Sequence, residues 1–277
     1  MTAYGNLDAI NQFTVVTDKV DVVAANWAAL FDFSLPERQE QEPLSSEQMQ
    51  KLIEEMDPLY RGKRRNPNGY QIVIRQGLTY FEIKSPEVFG FNEEYYARHG
   101  VGMAFIGITE NNQRDTLIER LKNEFHSDEV DYYHYPDNYG TFTILDTEQM
   151  LGLGLCVNAY NRPENPPQKS ILPDFDELIV VRNNKDDVYD NWCSFFGKEK
   201  QEENILANKN GFCVRILEPT TDLKDGMVIP VLKAENTAEI IKKANVSIMG
   251  KFQAGAHDYI LLDSSDAFGT LLAICGV

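Results

Sequence analysis

Gln12-Phe-Thr-Val-Val16 is β-branched and aromatic, and after Asp18 the chain runs on through Val20, Val23, Trp27 and Phe31 at spacings of three or four. The first stretch reads as a strand, the second as the buried stripe of a helix. The plan returns at Glu177-Leu-Ile-Val-Val181, followed by Val188, Trp192 and Phe196. A constant 165 residues separates Gln12 from Glu177, Asn26 from Asn191 and Phe31 from Phe196. Asn26-Trp27 and Asn191-Trp192 hold the 2 tryptophans of the chain, at the same place in the repeat. Self-similarity over such a period marks a duplicated unit, so the chain reads as tandem copies of one domain.

Moving outward, the later parts of the copies match at shorter offsets because the first copy is longer. Phe81-Glu-Ile-Lys-Ser-Pro86 parallels Val214-Arg-Ile-Leu-Glu-Pro219, each an extended run closed by proline. Gly102-Met-Ala-Phe-Ile106 parallels Gly226-Met-Val-Ile-Pro230, and the methionines lie 124 apart. Leu145-Asp-Thr147 with Gly152 and Leu155 returns 117 residues on as Leu262-Asp-Ser264 with Gly269 and Leu272. Between the copies stands Asn161-Arg-Pro-Glu-Asn-Pro-Pro-Gln168, too rich in proline for a helix or central strand. The expected division is therefore 1–162, a proline-rich linker at 163–173, and a smaller copy at 174–277. The first copy carries an insertion at 35–69, in which Met49, Leu52, Ile53 and Met56 trace an amphipathic helix. Second helices are expected over 113–125 and 237–244, the latter opened by Asn236 with Glu239 three residues on. Strands alternating with single helices, without a glycine-rich strand-to-helix turn, give α+β rather than a dinucleotide fold.

Composition narrows the function. A net charge of -17 argues against nucleic acid, which needs a basic stripe to displace counterions. The one basic run, Arg61-Gly-Lys-Arg-Arg65, reads as a solvated loop or as a greeting for an anionic substrate. No apolar run reaches the roughly 18 residues that span a bilayer, and no leader pattern opens the chain, so a cytoplasmic protein without membrane partners is expected. Cys156, Cys193, Cys213 and Cys275 are scattered among apolar neighbours and read as buried free thiols.

The strand around Gln12, the helix Asn26-Trp-Ala-Ala-Leu-Phe31, Tyr80-Phe-Glu-Ile-Lys-Ser-Pro86, Arg98-His-Gly-Val-Gly-Met103 and Phe142-Thr-Ile-Leu-Asp-Thr147 with Gly152 together resemble the vicinal oxygen chelate superfamily of glyoxalases, bleomycin-resistance proteins and dioxygenases. Residues 8–160 are most similar to methylmalonyl-CoA epimerase and glyoxalase I, and the likeness extends through the repeat over 174–277. It implies tandem domains, each of paired βαβββ modules curled into an open barrel, with the two domains pairing their sheets as a monomer or homodimer. It also implies a divalent metal on four inward side chains, a substrate chelated through neighbouring oxygens, and a carboxylate that moves a proton beside a carbonyl.

Carried over by residue, the resemblance places Gln12 and Glu82 at two ligand positions. The third falls at Ala104-Phe105 and the fourth at Cys156, where neither an apolar side chain nor a buried thiol serves as a hard ligand. Two of four donors do not hold zinc, nickel or cobalt in the family manner, so no cofactor is assigned, and a divalent metal stays open only in a rearranged site. In the second copy the equivalents are Glu177, Arg215, Ile229 and Ala273, and the fixed charge of Arg215 repels a cation. Glu177 and Arg215 read either as a mutual pair or as an anion site. None of His99, His126, His134 and His257 falls at a ligand position, and Asp131-Tyr-Tyr-His-Tyr135 reads as a packed hairpin or a pocket wall.

The implied function is a small-molecule pocket in the first copy, lined by Tyr80, Ala104, Phe105 and Cys156. Glu82 is the candidate base and Gln12 the candidate hydrogen-bond donor of an isomerase or lyase, or else Glu82 is simply hydrogen-bonded to Gln12 and satisfied there. A carboxylate among apolar walls is pushed toward its neutral form, which suits acid–base work near neutral pH. The alternative is metal-free binding or sequestration of an apolar ligand, and a third is a scaffold that has lost its pockets. The epimerase likeness points toward an acyl thioester as substrate.

Overall fold

The computed structural model describes residues 7–32, 34–35, 71–76, 79–88, 90–109, 114–125, 128–134, 140–160, 175–201, 203–209 and 211–276. The expected insertion helix at 49–56, the basic run at 61–65, the linker at 163–173, and residues 113, 126 and 135 lie outside this set.

The first copy runs β1 (Ile10–Val16), α1 (Val20–Phe31), β2 (Gln71–Gln76), β3 (Thr79–Lys84), α2 (Gly90–His99), β4 (Gly102–Thr109), α3 (Arg114–Phe125), β5 (Asp128–His134), β6 (Gly140–Asp146), the one-turn α4 (Glu148–Leu151) and β7 (Gly154–Tyr160). The second runs β8 (Glu177–Val181), α5 (Lys185–Phe196), β9 (Ile205–Ala207), β10 (Cys213–Leu217), β11 (Val228–Ala234), α6 (Thr237–Ala244), β12 (Ile248–Ala254), β13 (His257–Leu262), the one-turn α7 (Ser265–Phe268) and β14 (Leu272–Gly276). Periodicity explains the long helices: Val20, Val23, Trp27 and Leu30 are buried on α1, and Val188, Trp192, Cys193 and Phe196 on α5. The start of α6 is fixed by Asn236, whose side chain accepts from the Glu239 amide at 3.2 Å. Helix α2 is not foreshadowed in the sequence, being short and largely polar on its outer side.

Each copy forms a seven-stranded mixed sheet, ordered β2-β3-β1-β4-β7-β6-β5 in the first and β9-β10-β8-β11-β14-β13-β12 in the second. The orders match strand for strand, and so do the registers: Phe13 faces Phe81 and Ile106, while Leu178 faces Val214 and Pro230. The architecture is α+β, and the described strands divide three to four between the two βα units of each sheet.

The copies do not meet by pairing their sheets, since no described strand of one hydrogen-bonds to the other. They meet through helices, crosswise. The Trp27 indole donates to the Phe268 carbonyl at 2.9 Å and the Asn26 amide to the Ala267 carbonyl at 2.8 Å. Reciprocally, Trp192 donates to Leu151 at 2.8 Å and Asn191 to Met150 at 3.1 Å. Each one-turn helix thus has its terminal carbonyls, orphaned by the end of the helix, satisfied by the Asn-Trp pair of the other copy. Glycines cap both turns in the left-handed region, at φ 85° for Gly152 and 72° for Gly269. A Cβ on Gly152 would sit 2.3 Å from Val180, and one on Gly269 3.1 Å from Val15, so both glycines also allow close approach. Around this junction lies one apolar core drawn from both copies, in which Trp27 stacks with Phe31 and meets Phe81, Phe175 and Phe268 edge-on or tilted, with ring centroids 4.7–5.9 Å apart. The opposite, inner face of each sheet carries its own smaller cluster.

Candidate functional site

Strand alternation sorts the side chains of β1 and β3. Phe13, Val15, Phe81 and Ile83 enter the shared core. Gln12, Thr14, Glu82 and Lys84 therefore face inward, and parallel pairing sets Thr14 opposite Glu82. On the other side of β1, Gly107 stands opposite Gln12, where a Cβ would come within 2.6 Å of the Gln12 Cβ; a glycine there makes room for the amide. Strand β7 adds Cys156 and Asn158, opposite Gly107 and Thr109 of β4.

These side chains form one hydrogen-bonded chain. The Gln12 amide nitrogen donates to Glu82 Oε2 at 2.6 Å and Thr14 Oγ1 donates to the same oxygen at 3.1 Å. Lys84 Nζ lies 2.6 Å from it too. Gln12 Oε1 accepts from Asn158 Nδ2 at 2.8 Å, and Asn158 Oδ1 accepts from Cys156 Sγ at 3.3 Å. Three donors thus converge on one carboxylate oxygen, and no described hydrogen bond falls on Oε1. The Lys84 side chain is 2% exposed and that of Glu82 12%, so the carboxylate is the more accessible of the pair. The other amide orientation of Gln12 would set its oxygen against the carboxylate, so the chemistry fixes the flip.

Of the residues singled out from sequence, Gln12 and Glu82 are in direct contact, and Cys156 joins them through Asn158. Ala104 and Phe105 are buried in the inner cluster with Phe91, Tyr95, Ile144 and Cys156. Tyr80 pairs with Gln12 along the strands, and its side chain lies outside the described set. The surroundings of Glu82 differ from the apolar enclosure expected: its closest neighbours are an ammonium, an amide and a hydroxyl. Lys84, Thr14 and Asn158 were not picked out from sequence. Alternation alone puts Lys84 on the face of Glu82, and that signal was available.

The second inner face is built differently. Glu177 Oε1 accepts from Arg215 Nε at 2.5 Å and Oε2 accepts from Tyr259 Oη at 2.8 Å. Both charged side chains are about 5% exposed or less. Burial and then Glu177 drive the Tyr259 hydroxyl far above its usual range, which keeps it a donor. Where the first sheet has Thr14, Lys84 and Asn158, the repeat offsets place Ile179, Leu217 and Cys275, all apolar or nearly so. Burial also pushes the thiols of Cys193, Cys213 and Cys275 up, so none of the three is a ready nucleophile.

At the junction a third polar cluster closes on Glu148. Arg98 Nη1 donates to it at 2.9 Å, His99 Nε2 lies at 3.1 Å, and Arg182 of the second copy donates at 3.2 Å. Arg182 also donates to the Gly152 carbonyl at 2.8 Å. Burial opposes ionisation of Glu148, but His99 and Arg182 outweigh it and hold the carboxyl below its ordinary value. His99, at no ligand position of the resemblance, ends helix α2 and faces this carboxylate.

A divalent cation does not fit the donors of the first inner face. Phe105 and Cys156 supply nothing hard, the oxygen of Gln12 turns away toward Asn158, and Lys84 already neutralises Glu82. Among the described residues no three of His, Cys, Asp and Glu gather as ligands, and no described helix is long and apolar enough to cross a membrane.

No protein family and no curated protein matches the chain by sequence. Solved structures do match along almost its whole length. A triple mutant of 4-hydroxymandelate synthase from Streptomyces coelicolor is similar at TM-score 0.59 and 9% identity, covering 96% of this chain and 92% of that one. The 2,3-dioxygenase LapB from Pseudomonas sp. KL28 is similar at 0.54 and 10% identity, covering 99% and 94%. The 2,2',3-trihydroxybiphenyl 1,2-dioxygenase of Sphingomonas wittichii strain RW1 is similar at 0.52 and 11%, covering 97% and 90%. All three are vicinal oxygen chelate proteins, a synthase and two dioxygenases rather than an epimerase or glyoxalase.

Proposed function

We propose, starting from the vicinal oxygen chelate fold that this chain has, that the inner face of the first copy binds a small carbonyl compound and moves a proton on the carbon beside the carbonyl. One observation carries the reading. Glu82 is anchored through Oε2 by Gln12, Thr14 and Lys84 while Oε1 takes no described bond, the arrangement of a general base held in register with one oxygen left for a substrate proton. No metal enters the mechanism, because the donors present do not suit one. The second copy, with its acid closed between Arg215 and Tyr259, is assigned a structural part.

The test is deuterium exchange into small carbonyl compounds followed by proton NMR, with thermal shift on the same compounds. Wild-type protein is expected to catalyse exchange and Glu82→Gln to lose it while keeping its fold. Unaltered exchange in that variant refutes the assignment. A second reading is binding without turnover, in which the acid is held by Gln12, Thr14 and Lys84 only to shape the face that a ligand meets. It predicts stabilisation by a ligand with no exchange.

A further inference from the structure

We infer that Lys84 is the built-in cation of the cup, supplying as a fixed ammonium the positive charge that this fold otherwise takes from a chelated metal. The inference rests on the proton-transfer reading above and names the charge that makes it work. Lys84 Nζ is 2.6 Å from Glu82, the acid at a metal-ligand position of the resemblance, and 5.2 Å from the ring centroid of Phe105 at another. An ammonium there occupies the neighbourhood in which a divalent ion would need oxygen donors.

The second copy shows that the fold does not require it. Leu217 holds the equivalent strand position in β10, paired to β8 in the same parallel register. Thr14 and Asn158 are likewise replaced there, by Ile179 and Cys275. Lysine, threonine and asparagine thus travel together with an accessible carboxylate, and are absent together where the acid is closed off. A lysine 2% exposed is rare unless its charge is matched.

The substrate class follows from the charges. Before reaction the Lys84 ammonium and the Glu82 carboxylate offset one another. Glu82 Oε1 takes a proton from the carbon beside a carbonyl. The C–H bond breaks, an O–H bond forms, the C–H electron pair becomes the carbon–carbon double bond, and the carbonyl pair moves onto oxygen. Glu82 is then neutral and the negative charge is an enolate, so the Lys84 ammonium beside Glu82 faces the new anion in place of the carboxylate. Return of the proton to carbon restores the pair, with no other reactant needed. The ligand is a neutral or singly anionic carbon acid: a ketone, a 2-oxo acid or a thioester. Lys84 acts across Glu82 and is a positioning and charge-balancing residue.

The experiment follows exchange into 2-oxobutanoate and the N-acetylcysteamine thioester of propionate in deuterium oxide, with EDTA or with added Ni²⁺ or Co²⁺, alongside calorimetric titration of the metals. Lys84→Met is expected to lower kcat by about 10²–10³-fold, the scale of removing one oriented electrostatic donor, with a smaller change in KM. Lys84→Arg should recover part of that loss. EDTA should leave the wild-type rate unchanged. A folded Lys84→Met variant within threefold of wild type, or one metal ion per chain taken up by wild type and lost in Glu82→Gln, overturns the inference. Should Lys84→Met not fold, Lys84→Arg and the metal titration still decide. If neither probe exchanges in wild type, the proton-transfer reading fails by itself, and Glu82-dependent metal uptake then sinks or sustains the claim for Lys84.

Discussion

Replacing each tryptophan singly by phenylalanine tests whether the two copies stand as one cooperative body. Trp27 is 1% exposed and Trp192 fully buried, and each donates its indole hydrogen to a carbonyl of the opposite copy. Trp27→Phe leaves the Phe268 carbonyl without its indole donor in a buried junction, costing about 1–3 kcal/mol before lost packing is added. Trp192→Phe does the same at Leu151. With a urea slope of about 3 kcal/mol/M for a chain of this size, the midpoint should fall by roughly 0.3–1 M in each variant. Because the chain has 2 tryptophans, each variant keeps one fluorophore, seated at the other clasp. Trp27→Phe reports from Trp192 and Trp192→Phe reports from Trp27. Coincident transitions by fluorescence and far-ultraviolet circular dichroism are expected in both, because the core is shared. Separated transitions, or a midpoint unmoved in both variants, would refute the reasoning.

Gly107→Ala should push the Gln12 amide off Glu82 and Asn158, since the new Cβ falls within 2.7 Å of Gln12 atoms; ligand-induced thermal shift should be lost, at a stability cost of about 1–3 kcal/mol. Arg215→Met strands the buried Glu177 charge and should cost about 3–5 kcal/mol in urea, while the Glu177→Gln/Arg215→Met double variant should cost less than Arg215→Met alone. The carboxyl of Glu148 is depressed in the folded protein, so its contribution is complete above the unfolded value and fades as pH falls through the lower folded one. Glu148→Gln should therefore lower Tm at pH 7 and flatten its decline below about pH 4.5, the ordinary value for glutamate. An acid limb as steep as that of wild type would count against this.

The duplicated plan was legible because Asn26-Trp27 and Asn191-Trp192 recur at fixed distance and in fixed helical phase. What those residues do was not legible. Their acceptors are main-chain carbonyls 241 and 41 residues away, and a carbonyl carries no signature in a sequence. Gln12 and Glu82 could be named because the resemblance puts them at ligand positions. Lys84 shares the inward face of Glu82 by alternation, but it falls at no ligand position of the resemblance and so was not singled out. Asn158 sits one inward step beyond Cys156, past the point where the resemblance looks for a ligand. The link from Glu148 to Arg182 joins the copies through residues that match no motif in either.

A contact in which each half gives a tryptophan and receives one has the form that two identical chains adopt about a twofold axis. Held in a single polypeptide, that handshake has no dependence on concentration and cannot be lost by dilution. It also uncouples the linings: substitutions in one hollow need not be mirrored in the other, which is how a more accessible acid and a sealed one come to share a scaffold.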